Sequence, residues 1–121
     1  MRGMRAHVYQ YPKCSTCRKA LAWLDANGVA YDKSDLVAEP IPLEKLKELH
    51  DRSGLPIARF FNTSGESYRN GNFKERLKSA TDAQLLAELA KDGKLVKRPI
   101  VERGKKVLVG FDEKAYDAAW G

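Results

Sequence analysis

Two cysteines, Cys14 and Cys17, stand three residues apart in the segment Lys13-Cys14-Ser15-Thr16-Cys17-Arg18, and the chain has no others. Cysteine attacks as its thiolate. An unperturbed thiol has a pKa of about 8.5, so only about 3% is ionised at pH 7. Chemistry at this pair therefore needs a device that stabilises negative charge on one sulfur. The start of a helix is such a device, because its first N–H groups have no carbonyl partner and point at whatever precedes them. Lys13, Arg18 and Lys19 add positive potential nearby. A pKa brought down to about 6.5 makes roughly three quarters of the sulfur thiolate at pH 7. In this arrangement Cys14 is the nucleophile. Cys17, about one helical turn further on, is the thiol that resolves a mixed disulfide on Cys14.

The elements that must position the pair are legible on either side of it. Ala6-His7-Val8-Tyr9-Gln10-Tyr11 alternates and is rich in strand formers, and Pro12 ends it. Ser15 or Thr16 can open a helix with Ala20, Leu21 and Leu24 on one face and Asn27-Gly28 as its stop. Val29 to Asp35 reads as a second strand, completing a βαβ unit. A helical stretch then starts at Pro40-Ile41-Pro42 and carries the stripe Leu43, Leu46, Leu49 up to Gly54. Ile57 to Phe61 and Asn72 to Lys78 read as short helices, with a turn at Thr63-Ser64-Gly65 between them. Thr81-Asp82 opens another helix, with Leu85, Leu86 and Leu89 inward, which Asp92-Gly93 ends. Ile100-Val101 and Lys106 to Val109 form a hairpin about Gly104-Lys105. Asp112 caps a last helix carrying Tyr116 and Trp120. The expected fold is α/β: a thioredoxin-like, mixed four-stranded sheet with a helical insertion, about residues 40–95, between its βαβ and ββα halves.

A thioredoxin-like fold places a cis-proline loop before its third strand, facing the cysteines. Pro99, in Lys97-Arg98-Pro99-Ile100, falls at that position. A cis bond occurs at only about 5–6% of X–Pro peptides, so the expectation rests on this context. Arg98 would then stand beside the thiolate and hold an oxyanion by paired hydrogen bonds; the plainer alternative is a surface arginine before a strand. Asn62, in Asn62-Thr63-Ser64-Gly65, either supplies polar groups to the site or merely shapes a turn. A Cys-x-x-Cys is also half of a zinc site, but zinc takes two more ligands. His7 and His50 are isolated, so no metal is expected. The remaining alternative, two inert buried thiols, fits the strand–Cys-x-x-Cys–helix context less well.

The 121 residues suit a single domain large enough to bury a core without staples. The net charge of +6 fits an anionic partner, but acidic and basic residues interleave along the helices, which marks solvated faces. No apolar run approaches the roughly 18 residues of a membrane span. The segment before the first strand, Met1 to Arg5, carries no signal-peptide pattern, and Met4 is an alternative start. The expectation is a cytoplasmic monomer.

The segments Tyr11-Pro12-Lys13-Cys14-Ser15-Thr16-Cys17-Arg18-Lys19-Ala20, Phe60-Phe61-Asn62-Thr63-Ser64-Gly65, Arg98-Pro99-Ile100 and Val107-Leu108-Val109-Gly110-Phe111 together resemble the ArsC/Spx family, over nearly the whole chain. The resemblance implies a thiol-dependent reductase of the arsenate reductase type. Its Cys14 would attack an oxyanion or disulfide, with Arg98 and Pro99 at the substrate, Arg18 and Asn62 beside them, and Cys17 resolving. Glutathione, glutaredoxin or a thioredoxin-type protein would be the reductant, with no tightly bound cofactor. Glutaredoxin-linked arsenate reductases use two more arginines. One of those positions falls at Asn62 and the other within Val107 to Gly110, which has no arginine. At about 1.5–3 kcal/mol for each charged hydrogen bond, their loss weakens the hold on arsenate. Those reductases also usually lack the second cysteine. The Spx side of the family keeps Cys-x-x-Cys as a redox switch and binds the RNA polymerase α subunit, so the alternative reading is a redox-sensing transcriptional regulator.

Overall fold

The computed structural model describes residues 4–121; the reading of Met1 to Gly3 lies outside them. The described chain runs β1 (Ala6–Gln10), α1 (Ser15–Ala26), β2 (Tyr31–Asp35), α2 (Leu43–Ser53), α3 (Glu66–Asn70), α4 (Phe73–Arg76), α5 (Asp82–Lys91), β3 (Ile100–Arg103), β4 (Lys106–Val109) and α6 (Glu113–Trp120). Two single 3₁₀ turns, Ile57–Phe60 and Gly93–Leu95, are added. The four strands form one sheet in the order β2-β1-β3-β4. β1 pairs parallel with β2 and antiparallel with β3, and β3 pairs antiparallel with β4. This is the mixed sheet of the thioredoxin-like fold, as the sequence leads one to expect.

The chain divides into two compact units. One comprises the residues up to Asp35 together with Arg98–Gly121, and the other is Leu36–Lys97. In the first, Ala6 and Val8 of β1 and Val101 of β3 present alternate residues to one face of the sheet. They pack there with Ala20, Trp23 and Leu24 of α1, Val29 and Tyr116 of α6. The indole Nε1 of Trp23 donates to Asp117 Oδ1 at 2.9 Å, and the Trp23 and Tyr116 rings meet edge to face at 5.5 Å. These contacts tie α1 to α6, so the helix that carries the cysteines is held at its far end. Asn27 and Gly28 stop α1 as expected, Gly28 with φ of +69°. Val29 is not yet strand; its N–H closes back onto Leu24 O at 2.9 Å, and β2 begins only at Tyr31.

The Leu36–Lys97 unit has its own core, built from Leu46 and Leu49 of α2, Leu85, Leu86 and Leu89 of α5, and Phe60, Phe61, Phe73, Leu95 and Val96. Thr81 opens α5 with a reciprocal capping box to Gln84. Gly93 is required by space rather than by its torsion angle. A Cβ there would lie 2.0 Å from the carbonyl oxygen of Leu36. Three local expectations differ from the structure. The stretch expected to be one helix from Asn72 to Lys78 is the shorter α4, preceded by the unexpected α3, which buries none of its five residues and so leaves no apolar stripe to read. Ile57–Phe60 is a 3₁₀ turn. Asp112 occupies the N-cap of α6, but its side chain makes no capping hydrogen bond.

Candidate active site

The cysteine loop is built from the end of β1 outward. The Cys14 N–H donates to Tyr11 O at 3.1 Å, closing a tight turn through Pro12 and Lys13. That turn delivers Cys14, not Ser15 or Thr16, to the N-cap of α1. Its backbone is extended (φ −102°, ψ 117°), and its Sγ accepts a hydrogen bond from the Cys17 N–H at 3.2 Å. The Arg18 N–H follows onto Cys14 O at 3.2 Å as the first helical bond. The sulfur thus takes the place of the hydroxyl that usually caps a helix. Serine or threonine is the better cap by propensity, but Ser15 falls one step too late and Thr16 two. Ser15 is already the first residue of the helix.

The two thiols have opposite environments. Cys17 is fully buried, whereas Cys14 is partly exposed. Partial burial pushes the Cys14 thiol up. The Cys17 thiol and the Cys17 N–H, which hydrogen-bond to its sulfur, together with the hydrogen bond and charge of Arg98, outweigh that, and the net direction is down. Cys17 is pushed up to about 12. Burial is the largest cause, its hydrogen bond to the Cys14 sulfur and the charge on that sulfur add to it, and the Tyr11 backbone and the Arg98 charge act the other way. The proton is therefore held more firmly on Cys17, and Cys14 is the more readily ionised of the two sulfurs. Tyr116, whose hydroxyl donates to Gly110 O at 2.8 Å, is held above the ordinary phenol range by burial and then by the Cys17 charge.

Arg98 and Pro99 come to the same place. The Arg98–Pro99 peptide is cis, as the sequence context suggested. Pro99 O accepts the Gly110 N–H at 2.7 Å, which anchors the loop to the end of β4. The half-buried Arg98 side chain reaches the Cys14 sulfur, and its guanidinium carbon lies 5.0 Å from the centre of the Tyr11 ring. Cys14, Cys17, Arg98 and Pro99 are thus gathered in one unit. Arg18 is in the same unit but exposed, and its guanidinium donates to Pro12 O at 3.1 Å, bracing the cysteine loop. Asn62 belongs to the Leu36–Lys97 unit. Its N–H donates to Leu95 O at 2.8 Å, its side-chain amide to Lys94 O at 3.4 Å, and its carbonyl accepts from Gly65 at 3.2 Å. Those bonds shape the turn that Asn62 opens. Tyr11 was missed as a site residue. An aromatic residue just before the proline of the cysteine loop was the available signal. Among the described residues no group of three or more His, Cys, Asp or Glu is arranged to hold a metal ion, and no helix is long and apolar enough to cross a membrane.

The sheet order and a cysteine pair at the first helix define the class as a thioredoxin-like domain with a thiol centre. The model of the ArsC family matches residues 9–119, and the chain belongs to that family. It is 45% identical over 117 residues to the uncharacterized protein YusI of Bacillus subtilis (strain 168), covering 97% of this chain and 99% of that one. It is 29% identical over 106 residues to the global transcriptional regulator Spx of Listeria innocua serovar 6a, covering 88% and 79%. Among solved structures, a possible arsenate reductase from Streptococcus mutans UA159 superposes with a TM-score of 0.86 at 36% identity, covering 97% of this chain and 99% of that one.

Proposed function

We propose that the chain is a thiol-dependent oxidoreductase of the arsenate reductase-like type, acting in the cytoplasm on a disulfide or an oxyanion. The observation that carries this reading is the Cys14 sulfur at the N-cap of α1, accepting the Cys17 N–H at 3.2 Å with Arg98 on it. With a disulfide R–S–S–R′, the Cys14 thiolate attacks one sulfur, the S–S bond breaks, and R′S⁻ leaves with the electron pair. The product is a mixed disulfide between Cys14 and RS. Forming it removes the negative charge that helped to hold the proton on Cys17, while the Arg98 charge remains. Cys17 then loses its proton to solvent or to the departing thiolate and attacks the Cys14 sulfur, expelling RS⁻. The substrate has gained two electrons and the protein holds a Cys14–Cys17 disulfide. Two external thiols, from glutathione or from a glutaredoxin- or thioredoxin-type protein, return it to the dithiol.

With an oxyanion, Cys14 displaces one oxygen as water. Attack by Cys17 on the Cys14 sulfur then leaves the bonding pair on the central atom, which is reduced by two electrons. The Arg98 guanidinium holds the remaining oxygens, with Arg18 nearby on α1. Asn62 and the Val107 to Gly110 segment supply none, which favours a disulfide over arsenate as substrate. An assay with glutathione and glutaredoxin, offering a small disulfide and arsenate in parallel with Cys14→Ser as control, tests this. Turnover of either substrate that depends on Cys14 supports the reading, and turnover of neither overturns it.

A second reading is supported by the kinship to Spx together with the paired cysteines. In it, the chain is a redox-sensing regulator that binds the RNA polymerase α subunit, with the pair as its switch. Capture of polymerase by the reduced or the oxidised protein supports it. Failure of both forms to bind the α subunit removes it.

A further inference from the structure

Tyr11 meets the site at three points, two on the cysteine pair and one on Arg98. Its carbonyl accepts the Cys14 N–H at 3.1 Å. Its backbone hydrogen-bonds to the Cys17 sulfur. Its half-buried ring lies under the Arg98 guanidinium at 5.0 Å. The first two contacts are backbone and any residue could make them, so they do not explain an aromatic ring here. The third is a property of the side chain.

An arginine side chain has four rotatable bonds before its head group, and holding it in one place costs entropy. Arg98 is fixed at its root, because the backbone around Pro99 is bonded to Gly110 at 2.7 Å. At its far end the Tyr11 ring face adds a constraint on where the positive charge sits. The face of an aromatic ring carries partial negative charge and attracts a guanidinium within about 6 Å of its centre.

We propose that Tyr11 is the positioning residue of this site: its ring face holds the Arg98 guanidinium against the Cys14 sulfur and against the anion that binds there. The inference rests on the thiolate reading above and extends it by assigning the part that sets the arginine's pose. The hydroxyl has no share in this. Tyr11→Phe therefore keeps the function and Tyr11→Leu, of similar bulk without a π face, loses it.

The test is the pH profile of Cys14 alkylation by iodoacetamide, read by mass spectrometry of the Cys14 peptide. It is run on the wild type, Tyr11→Phe, Tyr11→Leu, Arg98→Ala and the double variant Tyr11→Leu/Arg98→Ala, each checked for a folded circular dichroism spectrum. Tyr11→Leu is expected to shift the profile to higher pH and to lower the thiolate fraction near pH 6 about two- to fivefold. Tyr11→Phe is expected to restore the wild-type profile. In the Arg98→Ala background, Tyr11→Leu is expected to have no effect. A second series keeps the shape constant and guards against misfolding. Replacing Tyr11 by phenylalanines of increasing ring fluorination weakens the ring face stepwise, and the profile is expected to move upward in step. The proposal is overturned if Arg98→Ala moves the profile while neither Tyr11→Leu nor fluorination does, or if the Tyr11→Leu shift persists without Arg98. If Arg98→Ala itself moves nothing, the thiolate reading of Arg98 falls as well, which separates the two failures.

Discussion

Replacement of Arg98 by alanine is the perturbation whose outcome is most constrained by the geometry. The guanidinium contributes a hydrogen bond and a charge to a partly exposed sulfur. A charge-assisted hydrogen bond is worth about 1.5–3 kcal/mol when shielded from water. Solvent screening at a half-open site takes roughly half of that away. About 1.4 kcal/mol is one pKa unit, so Cys14 should titrate about one unit higher in Arg98→Ala. Well below both pKa values the thiolate fraction then falls about tenfold. Intrinsic nucleophilicity moves the other way, because a more basic thiolate attacks faster with a Brønsted slope of about 0.4–0.5. One unit makes each thiolate roughly threefold more reactive. Iodoacetamide, a neutral reagent that does not use Arg98 for binding, should therefore alkylate the variant about three- to fourfold more slowly in acid, but about threefold faster once both proteins are fully ionised. The two rate–pH curves must cross. Superimposable curves refute the assignment of Arg98 to the thiolate. Curves that stay parallel, with the variant slower at every pH, refute the electrostatic mechanism, because loss of local structure rather than of charge would produce them.

Three further outcomes follow from other parts of the molecule. Cys17 is held protonated, up to about 12, in the folded chain. A raised folded pKa adds stability that is fully present below the unfolded thiol value of about 8.5 and is lost as pH rises through the folded value. The stability difference between the reduced wild type and Cys17→Ser, followed by urea unfolding, should therefore move against the wild type from pH 8.5 upward; a flat difference contradicts the buried-thiol picture. Thr81→Ala removes the hydroxyl half of the capping box on α5 and should cost about 1 kcal/mol in the same assay, with no change in the Cys14 alkylation profile. Gly93→Ala forces a methyl to within 2.0 Å of Leu36 O and should destabilise by about 2–4 kcal/mol or prevent folding; a thermal midpoint equal to that of the wild type contradicts the packing described there.

Much of this architecture can be read from residue order, because the elements carry strong local signals. Alternation in β1, the stripe of Ala20 and Leu24 in α1, Asn27-Gly28 as a stop, and the hairpin about Gly104-Lys105 are each decided within a few residues, and the sheet follows from their order. What escaped was set by geometry rather than pattern. The five residues of α3 bury nothing, so no periodicity announces them. Cys14 caps α1 because the turn closed by Tyr11 O fixes where the helix starts, and propensity alone favours the neighbouring hydroxyls. The loop proline and its arginine could be placed from the family pattern. The ring that holds the arginine could not, since Tyr11 and Arg98 meet only after β1 and β3 have paired. Arg18 illustrates the converse. Its position suggests a substrate cation, and the structure adds a local role that the position does not announce, one guanidinium N–H donating to Pro12 O.

The two cysteines divide the labour, with Cys14 attacking and Cys17 resolving. Mass spectrometry of the reduced protein after a brief exposure to oxidised glutathione tests it most directly, comparing the wild type, Cys14→Ser and Cys17→Ser. Cys17→Ser should accumulate one glutathione on Cys14. The wild type should pass to an internal Cys14–Cys17 disulfide carrying no adduct, and Cys14→Ser should stay unmodified because its remaining thiol is buried and protonated. A glutathione adduct mapped to Cys17, or a wild type that keeps its adduct on Cys14, contradicts this division of labour.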